Sequence, residues 1–216
     1  MTDFADMLAG YRRFRNTGWA LQRERWDELN EGQSPRVMVI ACSDSRVDPT
    51  QIFDTSPGEI FVVRNVAALV PPFETNPGRH GVSAALEFAV QVLKVDEIVV
   101  MGHGKCGGCK AALSQALKDS PPGEGGFIHS WIELLDDARA KVVERFGDDR
   151  SRDAERAMEQ EGVKVSLENL RTFPCVRTKE RDGEIKLIGA FFAIADGQLH
   201  LLDEESGEFH PAPLEV

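Results

Sequence analysis

The chain alternates between short apolar runs and stretches with helical spacing of apolar residues. The runs Val37–Ala41, Ile60–Val63 and Ile98–Met101 have the length and composition of buried strands. Helical patterns cover Val82–Leu93 and begin again near Gly107. Because strands that alternate with helices pair in parallel, we predict an α/β fold. Its central, mostly parallel β-sheet should be flanked by helices.

The two ends of the chain add to this core. Apolar side chains at spacings of three and four predict two amphipathic helices in the first thirty residues. We expect residues 1–34 to form an N-terminal helical arm that packs in a dimer. Its arginines could face an acidic partner surface or simply be solvated. Residues 35–216 should form a single α/β domain that binds zinc and carries the catalytic site.

The second half of the chain predicts two long helices and a hairpin. The helices cover roughly Phe127–Phe146 and Arg150–Leu170, and Gly147-Asp148-Asp149 separates them. Pro121–Gly126 has the composition of a loop. Two apolar segments near the C-terminus flank a turn, which predicts a C-terminal edge strand or hairpin; they are Glu184–Ile194 and Gln198–Leu202.

Charge and hydropathy exclude several classes of protein. Lys and Arg total 25 against 36 Asp and Glu, so the net charge of −11 argues against nucleic acid as a partner. The apolar runs are too short to cross a bilayer, and the polar start lacks the apolar region of a secretory signal. We therefore expect a cytoplasmic protein without a membrane partner. In that setting the four cysteines favour metal binding or catalysis over disulfides.

Metal-binding side chains follow two of the predicted strands. Cys42 and Asp44 come after the first strand, and His103 and Cys106 come after Ile98–Met101. If the two strands are neighbours, their carboxyl ends meet at one edge of the sheet, where open α/β sheets bind ligands. Two thiolates, an imidazole and a carboxylate suit tetrahedral Zn²⁺. Buried structural cysteines are the simpler alternative, and two separate ligand pairs make it less favoured.

Asp44 decides what such a zinc ion could do. Four protein ligands close a structural site, whereas a catalytic site keeps one position for water. Arg46 lies two residues away and can hold a carboxylate in a bidentate pair. We therefore expect Asp44 to leave the metal for Arg46, which opens the fourth position. Asp44 would be a ligand in the closed state only.

Four motifs in this order resemble those of the β-class carbonic anhydrases. They are Ala41-Cys42-Ser43-Asp44-Ser45-Arg46-Val47, Pro57-Gly58-Glu59, Arg64-Asn65-Val66-Ala67 and Gly102-His103-Gly104-Lys105-Cys106-Gly107-Gly108. The resemblance spans roughly residues 33–113. It implies a lyase that reversibly hydrates carbon dioxide to bicarbonate and a proton by zinc-bound hydroxide. Cys42, His103 and Cys106 would hold the zinc ion, and Asp44 and Arg46 would be the catalytic pair.

The resemblance also implies a homodimer or a dimer of dimers, with carbon dioxide and bicarbonate as the small-molecule substrates. Gln33 matches a substrate-binding glutamine, and Phe61, Val66 and Phe88 would line the pocket, with Phe88 in place of a tyrosine. Some bacterial members bind inhibitory bicarbonate through Trp, Arg and Tyr. Here Arg64 matches, but Val39 and Phe192 occupy the other two positions, so we expect that second site to be absent.

Several alternatives remain at this point. Cys106 and Cys109 have the spacing of a redox pair, although zinc would compete for Cys106. The glycines of residues 102–108 do not complete a phosphate-binding motif. We interpret Lys105 and Asp48 as solvated charges, and Glu59 and Arg64 as structural. A hydrolase of carbon disulfide or carbonyl sulfide would use the same zinc ion, and a non-catalytic zinc-binding module is a third possibility.

Overall fold

The structure is a computed structural model that describes residues 2–147 and 150–214. The chain divides into two compact units, one up to Ser34 and one from Pro35 onward.

The N-terminal unit contains three short helices where the pattern predicts two. They are α1 (Phe4–Asn16), α2 (Gly18–Leu21) and α3 (Arg23–Glu31). The prediction of two helices is wrong because the backbone leaves helical geometry at Thr17 and again at Gln22. At Thr17 the side-chain hydroxyl and the amide both donate to the carbonyl of Arg13 and so end α1. Asp3 and Asp6 form a capping box at its start.

Helix α1 carries an apolar face on its outside. The exposed side chains recur at helical spacing: Phe4, Met7, Leu8, Tyr11 and Phe14. Within the unit, the rings of Phe14 and Trp26 meet edge to face at 5.8 Å. The guanidinium groups of Arg15 and Arg23 lie over the ring of Trp19. Most of this face is therefore not covered by the unit's own side chains.

The C-terminal unit is built on one six-stranded sheet. Its strands are β1 (Val37–Cys42), β2 (Ile60–Asn65), β3 (Glu97–His103), β4 (Lys186–Ala193), β5 (Gln198–Asp203) and β6 (Glu208–Pro211). The spatial order is β2-β1-β3-β4-β5-β6; the first four strands are parallel, and β5 and β6 are antiparallel additions. The predicted fold class, a mostly parallel sheet flanked by helices, is confirmed. The sequence reasoning missed β6, which extends the predicted hairpin by one strand.

Seven helices of the described chain flank this sheet. They are α4 (Pro49–Ile52), α5 (Gly81–Glu87), α6 (Gly107–Ser114), α7 (Gly126–Ile132), α8 (Asp136–Phe146), α9 (Arg152–Thr172) and α10 (Pro174–Arg181). Helix α5 continues into a wider π-helical turn, Phe88–Leu93. The predicted helix over residues 127–146 is wrong as one element, because a 3₁₀ turn at Glu133–Leu135 divides it into α7 and α8. Gly126 belongs to α7 rather than to the loop.

Two further differences concern helix ends. Helix α9 begins at Arg152 rather than at residue 150, because the Ser151 side chain accepts a hydrogen bond from the Ala154 amide and caps the helix. The separating residues 148 and 149 lie outside the described part of the chain. Helix α10 was not predicted; it begins with Pro174, a residue that favours the first turn of a helix.

Helix α9 packs directly on the central strand β3. Val163, Leu167 and Leu170 of α9 share a core cluster with Ile98 and Val100 of β3. At Gly102, a Cβ atom would lie 2.6 Å from Cγ2 of Val163, so only glycine allows this approach without a shift. The close contact brings α9 to the carboxyl end of β3, where the predicted ligands lie. None of the described helices is both long and apolar enough to cross a bilayer.

Candidate metal centre

The candidate centre lies where β1 and β3 end. The two strands are adjacent and parallel, with Ala41 opposite Met101, so the segments that follow them leave the sheet at the same edge. Cys42, His103 and Cys106 meet there. Their ligand atoms all lie within 4.8 Å of one another, and all three residues are buried.

His103 is oriented as a metal ligand. Its Nδ1 lies 2.9 Å from the carbonyl oxygen of Gly104, and with Nδ1 as the donor, Nε2 carries a free lone pair. Nε2 is buried and has no hydrogen-bond partner among the described residues. A buried polar atom without a partner is costly unless something binds it. A backbone carbonyl that fixes the other ring nitrogen is the usual support of a metal-binding imidazole.

These three residues fit zinc. The ligand atoms of one tetrahedral zinc ion with sulfur and nitrogen ligands lie about 3.5 to 4 Å apart, and the observed ligand atoms all lie within 4.8 Å of one another. Two sulfurs with one imidazole select zinc over magnesium or calcium, which prefer oxygen. Three protein ligands also leave a fourth position for water or substrate. The residues present therefore suit a zinc ion of the catalytic type.

The protonation of the thiols follows from their contacts. A hydrogen bond with Cys106 and burial raise the pKa of Cys42 to about 12. The pKa of Cys106 is also raised to about 12, chiefly by its hydrogen bond with Cys109. Burial lowers the pKa of His103, but its contact with Cys42 outweighs this and the net shift is upward. Metal binding must therefore release protons from this group.

Asp44 is paired with Arg46. The carboxylate accepts hydrogen bonds from Arg46 Nε at 2.8 Å and Nη2 at 2.7 Å, and from the Arg46 amide at 3.0 Å. These bonds hold the pKa of Asp44 well below its ordinary value. Arg46 Nη2 also donates to the Lys105 carbonyl at 3.0 Å. The arrangement is the one expected for an open fourth position; the closed state, with Asp44 on the metal, stays a prediction.

Arg64 ties together the segment Cys42–Asp48, called the ligand loop below. Its guanidinium donates to the carbonyls of Cys42 and Asp44 and to the Asp48 carboxylate, at 2.8 to 2.9 Å. The interpretation of Asp48 as a solvated charge is wrong, because it also accepts bonds from the amide and hydroxyl of Thr50 and so caps α4. The Thr50 bonds lower the pKa of Asp48 despite the opposing effect of burial.

The predicted pocket residues do not all gather at the ligands. Phe61 and Phe88 stack on each other at 5.9 Å. Phe61 lies four residues before Asn65, the partner of Cys42, which corresponds to about 13 Å along the strand. Val66, by contrast, directly follows Asn65. Gln33 belongs to the N-terminal unit, where its side chain is exposed.

Val66 begins a strained turn beside the metal ligands. Ala67 and Ala68 both have positive φ, 66° and 56°, a conformation that side chains disfavour by on the order of 1 kcal/mol each. The Asn65 side chain bonds to both the amide and the carbonyl of Leu69, which closes the turn. Trp131 donates to the Val66 carbonyl at 2.8 Å. The sequence reasoning found Val66 but missed these two supports, of which the Trp131 bond comes from a distant segment.

Gly108, in the first turn of α6, marks this close approach. A Cβ atom there would lie 2.8 Å from Cγ1 of Val66 and 2.9 Å from Cβ of Ala67. Sequence reasoning also missed Glu159 and Arg152, which reach the turn that holds His103 and Cys106.

A cleft of about 1260 Å³ lies elsewhere, at the amino ends of the strands, and includes Arg36 and Lys186. This cleft is open to solvent and carries charges of both signs. The candidate metal ligands lie at the opposite edge of the sheet.

A mostly parallel sheet with a buried Cys, His and Cys group at its carboxyl edge is a candidate metal site of the kind that enzymes use. Residues 37–199 match the sequence profile of the carbonic anhydrase family. The chain is 31% identical to a carbonic anhydrase of Synechococcus elongatus over 204 residues, which cover 94% of this chain and 72% of that protein. The chain therefore belongs to the β-carbonic anhydrase family, whose members are enzymes that hydrate carbon dioxide.

Solved structures agree with this assignment. The β-carbonic anhydrase CcaA superposes with a TM-score of 0.90 at 28% identity, over 98% of this chain and 100% of that one. A Coccomyxa β-carbonic anhydrase in complex with acetazolamide gives 0.78 at 28% identity, over 98% and 94%. The tetrameric β-carbonic anhydrases of Sordaria macrospora give 0.79 at 28% identity, over 92% and 96%. The similarity therefore extends over nearly the whole chain.

Proposed function

We propose that this chain is a zinc-dependent enzyme that interconverts carbon dioxide and bicarbonate. Zinc would be held by the sulfurs of Cys42 and Cys106 and by Nε2 of His103. The observation that carries this proposal is the convergence of the two sulfurs on a buried nitrogen, His103 Nε2, that has no hydrogen-bond partner among the described residues. Bound zinc acts as a Lewis acid that lets water ionise near neutral pH.

Asp44 orients the attacking water in this proposal. Because its pairing with Arg46 depresses the pKa of the carboxyl group, Asp44 stays ionised near neutral pH and can accept a hydrogen bond. The same depression makes it a poor proton acceptor, so the proton leaves to buffer instead. Arg46 also keeps the carboxylate away from the ligand group. The pair thus keeps the fourth position available and sets the direction of attack.

The substrate pocket needs a second copy of the chain. Val66 follows the strand partner of Cys42, but Phe61 lies about 13 Å back along its strand from that partner, and Phe88 stacks on Phe61. They can line the pocket if a partner subunit brings them to it. The exposed apolar face of α1 gives such a dimer a surface to bury. We therefore propose a homodimer in which Gln33, Phe61 and Phe88 serve the partner's centre.

Zinc content and hydration rate, measured together, test this proposal. The wild-type protein should bind one zinc ion per chain and accelerate hydration of carbon dioxide in stopped-flow experiments. Cys42→Ser should lose both the zinc ion and the activity, whereas Asp44→Ala should keep the zinc ion and lose most of the rate. A Cys42→Ser protein that contains no zinc but hydrates carbon dioxide at the wild-type rate would refute the proposal.

A further inference from the structure

A buried carboxylate lies behind the metal centre. Within the described chain, three polar residues are buried: His103, Glu159 and Ser166. The Glu159 side chain, on helix α9, is only 2% exposed. Its Oε2 accepts a hydrogen bond from Arg152 Nη2 at 2.8 Å, and its Oε1 accepts one from Arg152 Nη1 at 2.9 Å. Burial of a carboxylate is expensive, and this one is paired and hydrogen-bonded.

The third bond of Glu159 goes to a metal ligand's backbone. Oε1 also accepts a hydrogen bond from the amide of Cys106 at 3.1 Å. Cys106 is the N-cap residue of α6, and its own side chain makes no capping hydrogen bond. A Glu three residues into a helix often accepts the N-cap amide, but that position is Cys109 here. A carboxylate 53 residues away in the sequence takes this role.

The segment that receives this bond is tightly bent. His103–Cys106, called the metal turn below, contains Lys105 with a positive φ of 58°, a conformation that side chains disfavour. The metal turn is held at one peptide group, the one that joins Lys105 to Cys106, by side chains from two different elements. Arg46 of the ligand loop binds the Lys105 carbonyl, and Glu159 of α9 binds the Cys106 amide.

Arg152 contributes to the same support. Its Nη2 lies 3.3 Å from where a Cβ atom of Gly104 would be, so the guanidinium covers this glycine. The carbonyl of Gly104 is the group that fixes Nδ1 of His103. Because α9 also packs on Gly102, the helix that carries Glu159 lies against the start of the metal turn as well. The position of Glu159 is thus set by the same packing that shapes the turn.

We propose that Glu159 is a positioning residue for the metal centre: by accepting the Cys106 amide, it fixes the metal turn so that the Cys106 sulfur and His103 Nε2 face one zinc ion. This inference rests on the proposed zinc site. Glu159 acts through Cys106 and touches neither substrate nor metal. Partners of this kind behind the first ligands typically change metal affinity by about ten- to hundredfold.

The competing explanation is that Glu159 only anchors α9 through its ion pair with Arg152. Two substitutions separate the roles. Glu159→Asp keeps the charge but shortens the side chain by one methylene, so the carboxylate loses reach to the Cys106 amide, while Arg152, 42% exposed, can follow it. Glu159→Gln loses the charge but keeps the acceptor at Oε1, which serves both Cys106 and Arg152.

The test measures zinc affinity by chelator competition on purified full-length protein, beside the thermal unfolding of the zinc-free form. We expect Glu159→Asp to weaken zinc binding about ten- to hundredfold. The zinc affinity of Glu159→Gln should stay within about threefold of wild type, because the acceptor for the Cys106 amide is kept. The small loss is expected because a neutral acceptor makes a weaker hydrogen bond than a charged one. Glu161→Gln is the matched control, because this carboxylate of α9 pairs with Lys164 and Lys141 instead.

A second measurement follows the geometry directly. In cobalt-substituted protein, the thiolate-to-cobalt absorption should change in Glu159→Asp and remain close to wild type in Glu159→Gln. Equal zinc affinity in all variants would overturn the inference. So would a larger loss of zinc affinity in Glu159→Gln than in Glu159→Asp, with both losses proportional to the loss of stability of the zinc-free form. If wild type itself fails to bind zinc, the proposed function fails instead, and the two failures are therefore distinct.

Discussion

The ligand loop and the metal turn deliver their ligands in different ways. The ligand loop begins at Cys42, the last residue of β1 and a candidate ligand, and also carries Asp44, whose side chain is 19% exposed. Arg64 binds two backbone carbonyls of the ligand loop, those of Cys42 and Asp44. The Asp44 carboxylate is instead bound by Arg46. The metal turn begins at the last residue of β3 and contributes two buried candidate ligands, and Arg46 and Glu159 hold its backbone on two sides.

The difference separates two requirements of a catalytic metal site. In the proposed site, the ligands that should not move are buried and fixed through their backbone. Asp44, which should stay off the fourth position, lies nearer the surface and is paired with Arg46. Arg46 connects the two segments, because it binds Asp44 and the Lys105 carbonyl at once. Loss of a ligand side chain should therefore abolish metal binding, whereas changes to the Asp44 and Arg46 pair should alter activity first.

The largest expected effect is in the metal turn. His103→Ala removes the buried nitrogen that lacks a partner among the described residues, and the two sulfurs alone cannot hold zinc at a catalytic site. We expect zinc content per chain to fall to background and carbon dioxide hydration to be lost. Metal analysis and stopped-flow assays check this. Stoichiometric zinc in the His103→Ala protein would show that the metal lies elsewhere.

The next effect is in the ligand loop. Arg46→Ala removes the partner that keeps Asp44 away from the ligand group, so Asp44 should close the fourth position. Zinc should stay bound while activity falls by about ten- to hundredfold. X-ray absorption at the zinc edge should show a carboxylate oxygen as a fourth protein ligand. Lys105→Ala, which keeps the carbonyl that Arg46 contacts, is the control and should retain activity and the open site.

Arg64→Met tests how the ligand loop is held. Loss of its bonds to the Cys42 and Asp44 carbonyls should reduce the free energy of unfolding by about 2 kcal/mol. Arg36→Met is the matched control, because Arg36 pairs with Asp96 and both side chains are exposed. Such exposed ion pairs contribute about 0 to 1 kcal/mol to the free energy of unfolding. Urea denaturation measures both. Equal losses would mean that Arg64 is an ordinary surface arginine.

Substitution of Asp48 should have the smallest effect on stability, and that effect should depend on pH. Because its folded pKa is lowered, its charge stabilises the fold above the ordinary aspartate pKa of about 3.9. That contribution is lost as the pH falls through the lower folded value. Asp48→Asn should therefore unfold at slightly less urea than wild type at pH 7, and the difference should narrow below about pH 4. A difference that widens in acid would contradict the assigned shift.

The sheet was predictable because its signals are local. The apolar runs that become β1, β2 and β3 are short and bounded by turns, and strands of that kind alternate with helices in few architectures. The ligands were predictable for a related reason: each follows a strand, so strand order alone brings Cys42 to His103. The missed elements, α10, β6 and the 3₁₀ turn within the predicted helix, depend on packing that no short window contains.

The supports of the site were not predictable. Glu159 lies in a helix rich in charged residues, and nothing nearby distinguishes it from Glu155 or Glu161. Its burial depends on how closely α9 approaches β3, which Gly102 permits. Asp48 looked solvated because its partner Arg64 is 16 residues away. In each case the role of the charge is set by a contact between distant segments.

The central claim is that this chain hydrates carbon dioxide with zinc held by Cys42, His103 and Cys106. Its most direct test is stopped-flow hydration by the protein stripped of metal and then titrated with zinc. We expect no activity above background without metal, and a linear rise in the hydration rate that levels off at one zinc ion per chain. Full activity in the stripped protein, or none after one equivalent of zinc is bound, would contradict it.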